Sequence, residues 1–160
     1  MSRLVDAAAP ARPADLTARL TSSPHADALD AALPRPAPSD PRLAALAEES
    51  LVAAASAIDA PVGRASLAAA VRTGLRRLAE AHPGKLVEVR VPPFAAVQIG
   101  VPGQAAAHTR GTPPNVVELD AATWFALASG RLAFADAVAA RRVRASGVHA
   151  DITGQLRSLA

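Results

Sequence analysis

At His82-Pro83-Gly84 the spacing of apolar residues changes, and the change constrains the fold more than any other feature of the chain. Before it, Leu67, Val71, Leu75 and Leu78 recur on one helical face, with Arg72, Arg76, Arg77 and Glu80 elsewhere. After it, Val87, Val89 and Val91 alternate with Glu88 and Arg90, the period of a strand with one covered face. A chain that passes from one period to the other is neither all-helical nor all-β. Upstream, Asp40-Pro41 opens an earlier helix: Asp caps well, and Pro suits a first helical position whose N–H would be unpaired anyway. Leu43, Leu46, Leu51 and Ile58 follow at roughly helical spacing, and Pro61-Val62-Gly63 ends the run. This predicts a helical hairpin over 41–81.

Residues 1–39 read differently. They hold six of the fourteen prolines and none of the nine glycines, and they close on Leu33-Pro34-Arg35-Pro36-Ala37-Pro38. Alternating prolines forbid helix and favour extended, solvated backbone. A flexible Pro/Ala-rich arm over 1–39 and one domain over 40–160 are expected. Within 85–160, strands are predicted at Lys85–Val91, Phe94–Ile99, Ala105–Thr109, Asn115–Leu119 and Val143–Ala145. Pro102-Gly103 suits a type II turn between the second and third of these. Asp120 caps a helix carrying Trp124 and Phe125, with Gly130 just past its end. Phe134 and Val138 mark a short helix, and Ile152, Leu156 and Leu159 the apolar side of a last one over 152–160. Helices around a mostly antiparallel sheet make an α+β domain.

Composition narrows the function classes. Without cysteine there is no disulfide, thiolate metal site or thiol nucleophile. His25, His82, His108 and His149 share no metal-ligand spacing, so no metal is expected, and no cofactor either. No phosphate loop, nucleophile elbow or nucleophile–base pair is present, so no catalytic residue is assigned. The net charge is +3, and Lys85 is the only lysine. Acids and bases alternate along the chain rather than forming one basic face, and few aromatics are present to stack bases, which argues against nucleic acid. Arg141-Arg142-Val143-Arg144 follows a short helix, where cations meet the negative end of its dipole. Neither a secretory leader nor an apolar run of membrane-spanning length is evident, so a cytoplasmic protein is expected.

The run NVVELDAATWFALASGRLAFADAVAARRVRASGVHADITGQLRSL has a recognisable order: strand, acidic cap, helix, Gly-Arg-Leu, helix, strand, Ser-Gly turn, closing helix. It resembles the C-terminal half of the sterol carrier proteins. Gly130-Arg131-Leu132 fits one family element, and Val143-Arg144-Ala145-Ser146-Gly147 another. The run VRVPPFAAVQ…HTRGTPPNVVELD is more specifically similar to the bacterial branch, often fused to maleylpyruvate-isomerase-like domains in actinobacteria. The resemblance covers 85–160 closely and 41–84 loosely. One departure stands out: Arg141-Arg142 occupies the place of the family's Gly-Lys, removing a glycine turn before the last strand.

The resemblance implies a sheet with helices over one face and a hydrophobic tunnel between them for a lipid-like ligand. From the residues themselves, Trp124, Phe125, Phe134, Val138, Ile152, Leu156 and Leu159 can converge on one sheet face, where Trp124 and Phe125 read first as plain core; the resemblance makes all seven the expected ligand-binding residues. His108, Arg110 and Asn115, in the stiff polar run His108–Asn115, form an expected polar mouth. That run reads equally as a crossover loop whose side chains bond their own backbone. The expected function is a non-enzymatic binding or carrier domain with an apolar small molecule or lipid as partner. An accessory module docking on an isomerase-like enzyme is the alternative. A thiol-dependent isomerase-like activity using Arg110 and His108 is the least supported reading. The last helix is too short to stand alone in water, so its apolar contacts are expected to hold it as a lid.

Overall fold

The computed structural model describes residues 5–6, 40–104 and 115–159. Packing divides the chain into two compact units, Met1–Thr73 and Gly74–Ala160. In the first, β1 (Val5–Asp6) pairs in parallel with β2 (Val62–Gly63), Val5 opposite Val62. The rest of the predicted 1–39 arm lies outside the described residues. Helix α1 (Pro41–Ala57) starts as its sequence requires, with Pro41 in the first turn and the Asp40 carboxylate accepting from the Arg42 N–H at 2.8 Å. It ends at Asp59, whose φ of 53° lets the Ala60 N–H reach back to the Ala55 carbonyl at 2.9 Å. The buried face of α1 is Ala47, Leu51, Val52 and Ala55, whereas Leu43 is 37% exposed. Small alanines, invisible to a search for large apolar residues, set that face. Helix α2 (Arg64–Ala81) follows directly and buries Leu67, Val71, Leu75 and Leu78.

The second unit begins within α2. It contains β3 (Val87–Val91), β4 (Ala95–Ile99), β5 (Asn115–Leu119), α3 (Ala121–Ala128), α4 (Phe134–Ala139), β6 (Val143–Ser146) and α5 (Thr153–Leu156). The strands form one mixed sheet in the order β4-β3-β5-β6. β3 pairs antiparallel with β4, and β5 with β6, but the central β3–β5 pair is parallel. β4 ends beside the start of β3, and β5 then begins alongside β3, so it runs the same way. The predicted strand Ala105–Thr109 lies outside the described residues. The turn before it has the expected form: Gly103 has φ 75°, and the Gln104 N–H bonds the Val101 carbonyl at 3.1 Å.

Register gives the sheet two unlike faces. Val87, Val89, Val91, Val117 and Leu119 are buried, with Ile99 opposite Val87 and Val143 opposite Leu119. On the other face Arg90 lies beside Glu118, and Glu118 beside Arg144. Arg90 bonds Glu88 at 2.9 Å, which raises the guanidinium pKa further, and Arg144 approaches Glu118 at 3.6 Å. The α+β class follows from this arrangement. At the α2–β3 joint the backbone crosses itself tightly: the Gly100 N–H bonds the His82 carbonyl at 2.8 Å. A Cβ on Gly84 would meet Gly100 Cα at 2.5 Å, and one on Gly100 would meet the Pro83 carbonyl oxygen at 2.5 Å. Only glycine fits at either position.

Candidate functional site

Helix α3 is the most enclosed element of the second unit. Asp120 caps it, accepting from the Thr123 N–H at 2.7 Å. Gly130, with φ 70°, ends it, its N–H on the Leu127 carbonyl at 3.0 Å. Between these stops Ala121, Thr123, Trp124, Phe125, Ala126 and Leu127 are all buried. A helix buried nearly all round belongs to an interior rather than a surface. Trp124 is 0% exposed, and its indole Nε1 has no hydrogen-bond partner.

Phe134 begins α4 and is buried together with Ala137. Val138, expected to share that face, is 37% exposed. Both positions lie close to the Phe134 face of the helix. Since α4 packs on β6, the small Ala137 takes the inward place and Val138 stays outside. The Arg141-Arg142 departure leaves the turn intact. Arg141 itself adopts φ 56°. Its N–H bonds the Val138 carbonyl at 3.0 Å, and the Arg142 N–H bonds that of Ala137 at 2.9 Å, the two bonds of a Schellman motif. The Arg142 guanidinium donates to the Thr123 hydroxyl at 3.2 Å, tying the turn to α3.

Ile152 and Leu156 are buried and Leu159 half-buried, but the closing element differs from the expected lid. Its helix is only Thr153–Leu156, and three-residue turns carry the chain on, Ser158 N–H to Gln155 carbonyl and Leu159 N–H to Leu156 carbonyl. Apolar contacts do not hold it alone. The Ser158 hydroxyl donates to the Gln155 carbonyl at 2.7 Å. His82 Nε2 lies 2.9 Å from that hydroxyl oxygen and 3.2 Å from the same carbonyl. A carbonyl only accepts and the serine proton is already engaged, so Nε2 carries a proton and donates to both. Arg77 donates to the Leu159 carbonyl at 3.4 Å. Asp151 caps the segment, and the Thr153 hydroxyl and N–H hold its carboxyl below the usual range.

Of the expected polar mouth, His108 and Arg110 lie outside the described residues. Asn115 is 2% exposed, and its amide is engaged at both ends. Nδ2 donates to the Leu86 carbonyl at 2.9 Å, and Oδ1 accepts from the His149 N–H at 2.9 Å. It thereby ties the start of β3 to the loop after β6. A cleft of about 340 Å³ lies elsewhere, at the α2–β3 joint, lined among others by His82, Lys85, Val101 and Gln104. Sequence reasoning missed both the His82 tether and this cleft. The partners of His82 lie 73 and 76 residues from it, and no local signal joins them.

The family model described as bacterial SCP ortholog matches residues 63–157. The chain belongs to the bacterial sterol carrier protein family. The match takes in all of α2, further upstream than the resemblance read closely from sequence, and leaves α1 outside. No curated protein matches the chain. Among the described residues of this family member, no helix is long and apolar enough to cross a membrane.

Proposed function

We propose that this sterol carrier family member is a non-enzymatic, cytoplasmic binding or carrier domain for a lipid-like apolar ligand. The ligand is held inside the second unit against the covered sheet face. Trp124, Phe125, Phe134, Ile152, Leu156 and Leu159 line its place, with Val138 at the edge and His108 and Arg110 in a polar mouth. The observation that carries the reading is where the large side chains go. The chain has one Trp, three Phe and no Tyr, and Trp124, Phe125 and Phe134 are all buried in this unit. Concentrating scarce aromatics there gives a ligand's hydrocarbon a large contact area. Native mass spectrometry of the purified protein tests the reading. A retained mass of lipid size, lost on denaturation, is expected. Bare polypeptide mass, persisting after incubation with long-chain esters, would overturn it.

A second reading, an accessory module that docks on an isomerase-like enzyme, draws on the outward apolar groups of the same unit. Val148 is 92% exposed beyond β6, and Val138 on α4 is 37% exposed. The same spectra distinguish the two, because a docking module carries no small molecule. Neither reading calls for nucleic acid.

A further inference from the structure

Among the described residues of the second unit, buried polar side chains are few: Asn115, Thr123 and Gln155, besides the indole of Trp124. Asn115 is bonded at both ends of its amide, and Thr123 receives the Arg142 guanidinium. Trp124 Nε1 is the exception among the described residues, a fully enclosed N–H with no acceptor. A buried indole ordinarily finds one. If packing were its whole purpose, phenylalanine would fill much of the same space without stranding a donor. Water is a poor acceptor here, because an enclosed water needs two to four polar partners and the unit's interior is otherwise nearly apolar.

Building on the carrier reading above, we propose that Trp124 Nε1–H recognises the ligand, donating to an uncharged oxygen of an otherwise apolar molecule. A ketone, ester or similar neutral acceptor fits. A carboxylate beside the indole does not, since among the described residues no lysine, arginine or histidine is buried there to compensate its charge. The hydrocarbon supplies burial, and the single hydrogen bond supplies selection.

The chain has one tryptophan, so its indole gives one resonance in a nitrogen–proton correlation spectrum. The test titrates the full chain, wild type and Trp124→Phe, with 2-undecanone, undecane and decanoate. In the wild type, the ketone should move the indole proton downfield and the alkane should bind without that shift. Trp124→Phe should weaken the ketone roughly tenfold more than it weakens the alkane, the scale of one buried hydrogen bond. Decanoate should leave the indole proton unmoved at neutral pH, as the alkane does. Equal ketone affinity in the two proteins, or ketone binding with an unmoved indole proton, overturns this inference while the carrier reading stands. An indole proton in persistent contact with water after ketone binding overturns it too. Binding of neither ketone nor alkane overturns both. If Trp124→Phe does not fold, the wild-type indole shift decides alone.

Discussion

Helix α3 and the C-terminal segment that ends in α5 are held in opposite ways. α3 is buried on almost every side, capped by Asp120 and stopped by Gly130. The C-terminal segment has four helical residues and is moored by long-range polar bonds from His82 and Arg77. Burial makes the first a permanent part of the interior. Hydrogen bonds that solvent can replace make the second a part that can let go locally.

The largest effect should come from cutting the first element out. Trp124→Ala is expected to destabilise the fold by about 3–5 kcal/mol, the range for a large buried aromatic, as measured by chemical denaturation. A loss under about 1 kcal/mol would mean that α3 is not the better-anchored element, and the contrast would collapse. His82→Ala addresses the other element. It removes one donor shared by two oxygens, so about 1 kcal/mol of local stability should go. Amide exchange at 152–159 should then speed up about fivefold, with that of β5 unchanged. Equal acceleration in both would show that the segment opens only with the whole domain.

Arg141→Gly probes the joint between the two. A non-glycine residue at positive φ is strained, while glycine loses more backbone entropy on folding. The net expectation is a gain of about 0.5–1 kcal/mol; a loss would show that the arginine side chain compensates its backbone. The smallest effect concerns acid. Asp151 titrates lower folded than unfolded, so its contribution is complete above the ordinary carboxylate range and disappears as pH falls through the depressed value. Asp151→Asn should therefore flatten the acid limb of a stability–pH curve by a few tenths of a kcal/mol. An unaltered limb would remove the cap from the account of the segment.

Legibility in the sequence followed the range of the interaction. Period and caps are local, so Asp40-Pro41, Val87–Val91, Asp120 and Gly130 could be read where they stand. The type II turn at Val101–Gln104 was equally plain. The parallel centre of the sheet could not be read, because it depends on the end of β3 at which the chain re-enters the sheet. The mooring of Gln155 and Ser158 by His82 was hidden by sequence separations of 73 and 76. Val138 misled because apolarity at the right spacing does not say which of two neighbouring faces meets the sheet. Among candidate ligand-binding residues, apolarity announced burial but was silent about the indole nitrogen, whose lack of a partner is a property of everything around it.

Arg141 bears on how relatives of this chain are found. What the fold requires before β6 is a dihedral angle, and glycine is merely its commonest supplier. A search pattern written with an obligatory glycine there would discard this chain and any other in which a different residue has been bent to the same angle. One written on the flanking apolar positions, Ala137 and Val143, would keep them. At this joint the backbone angle, not the residue letter, is what this chain keeps.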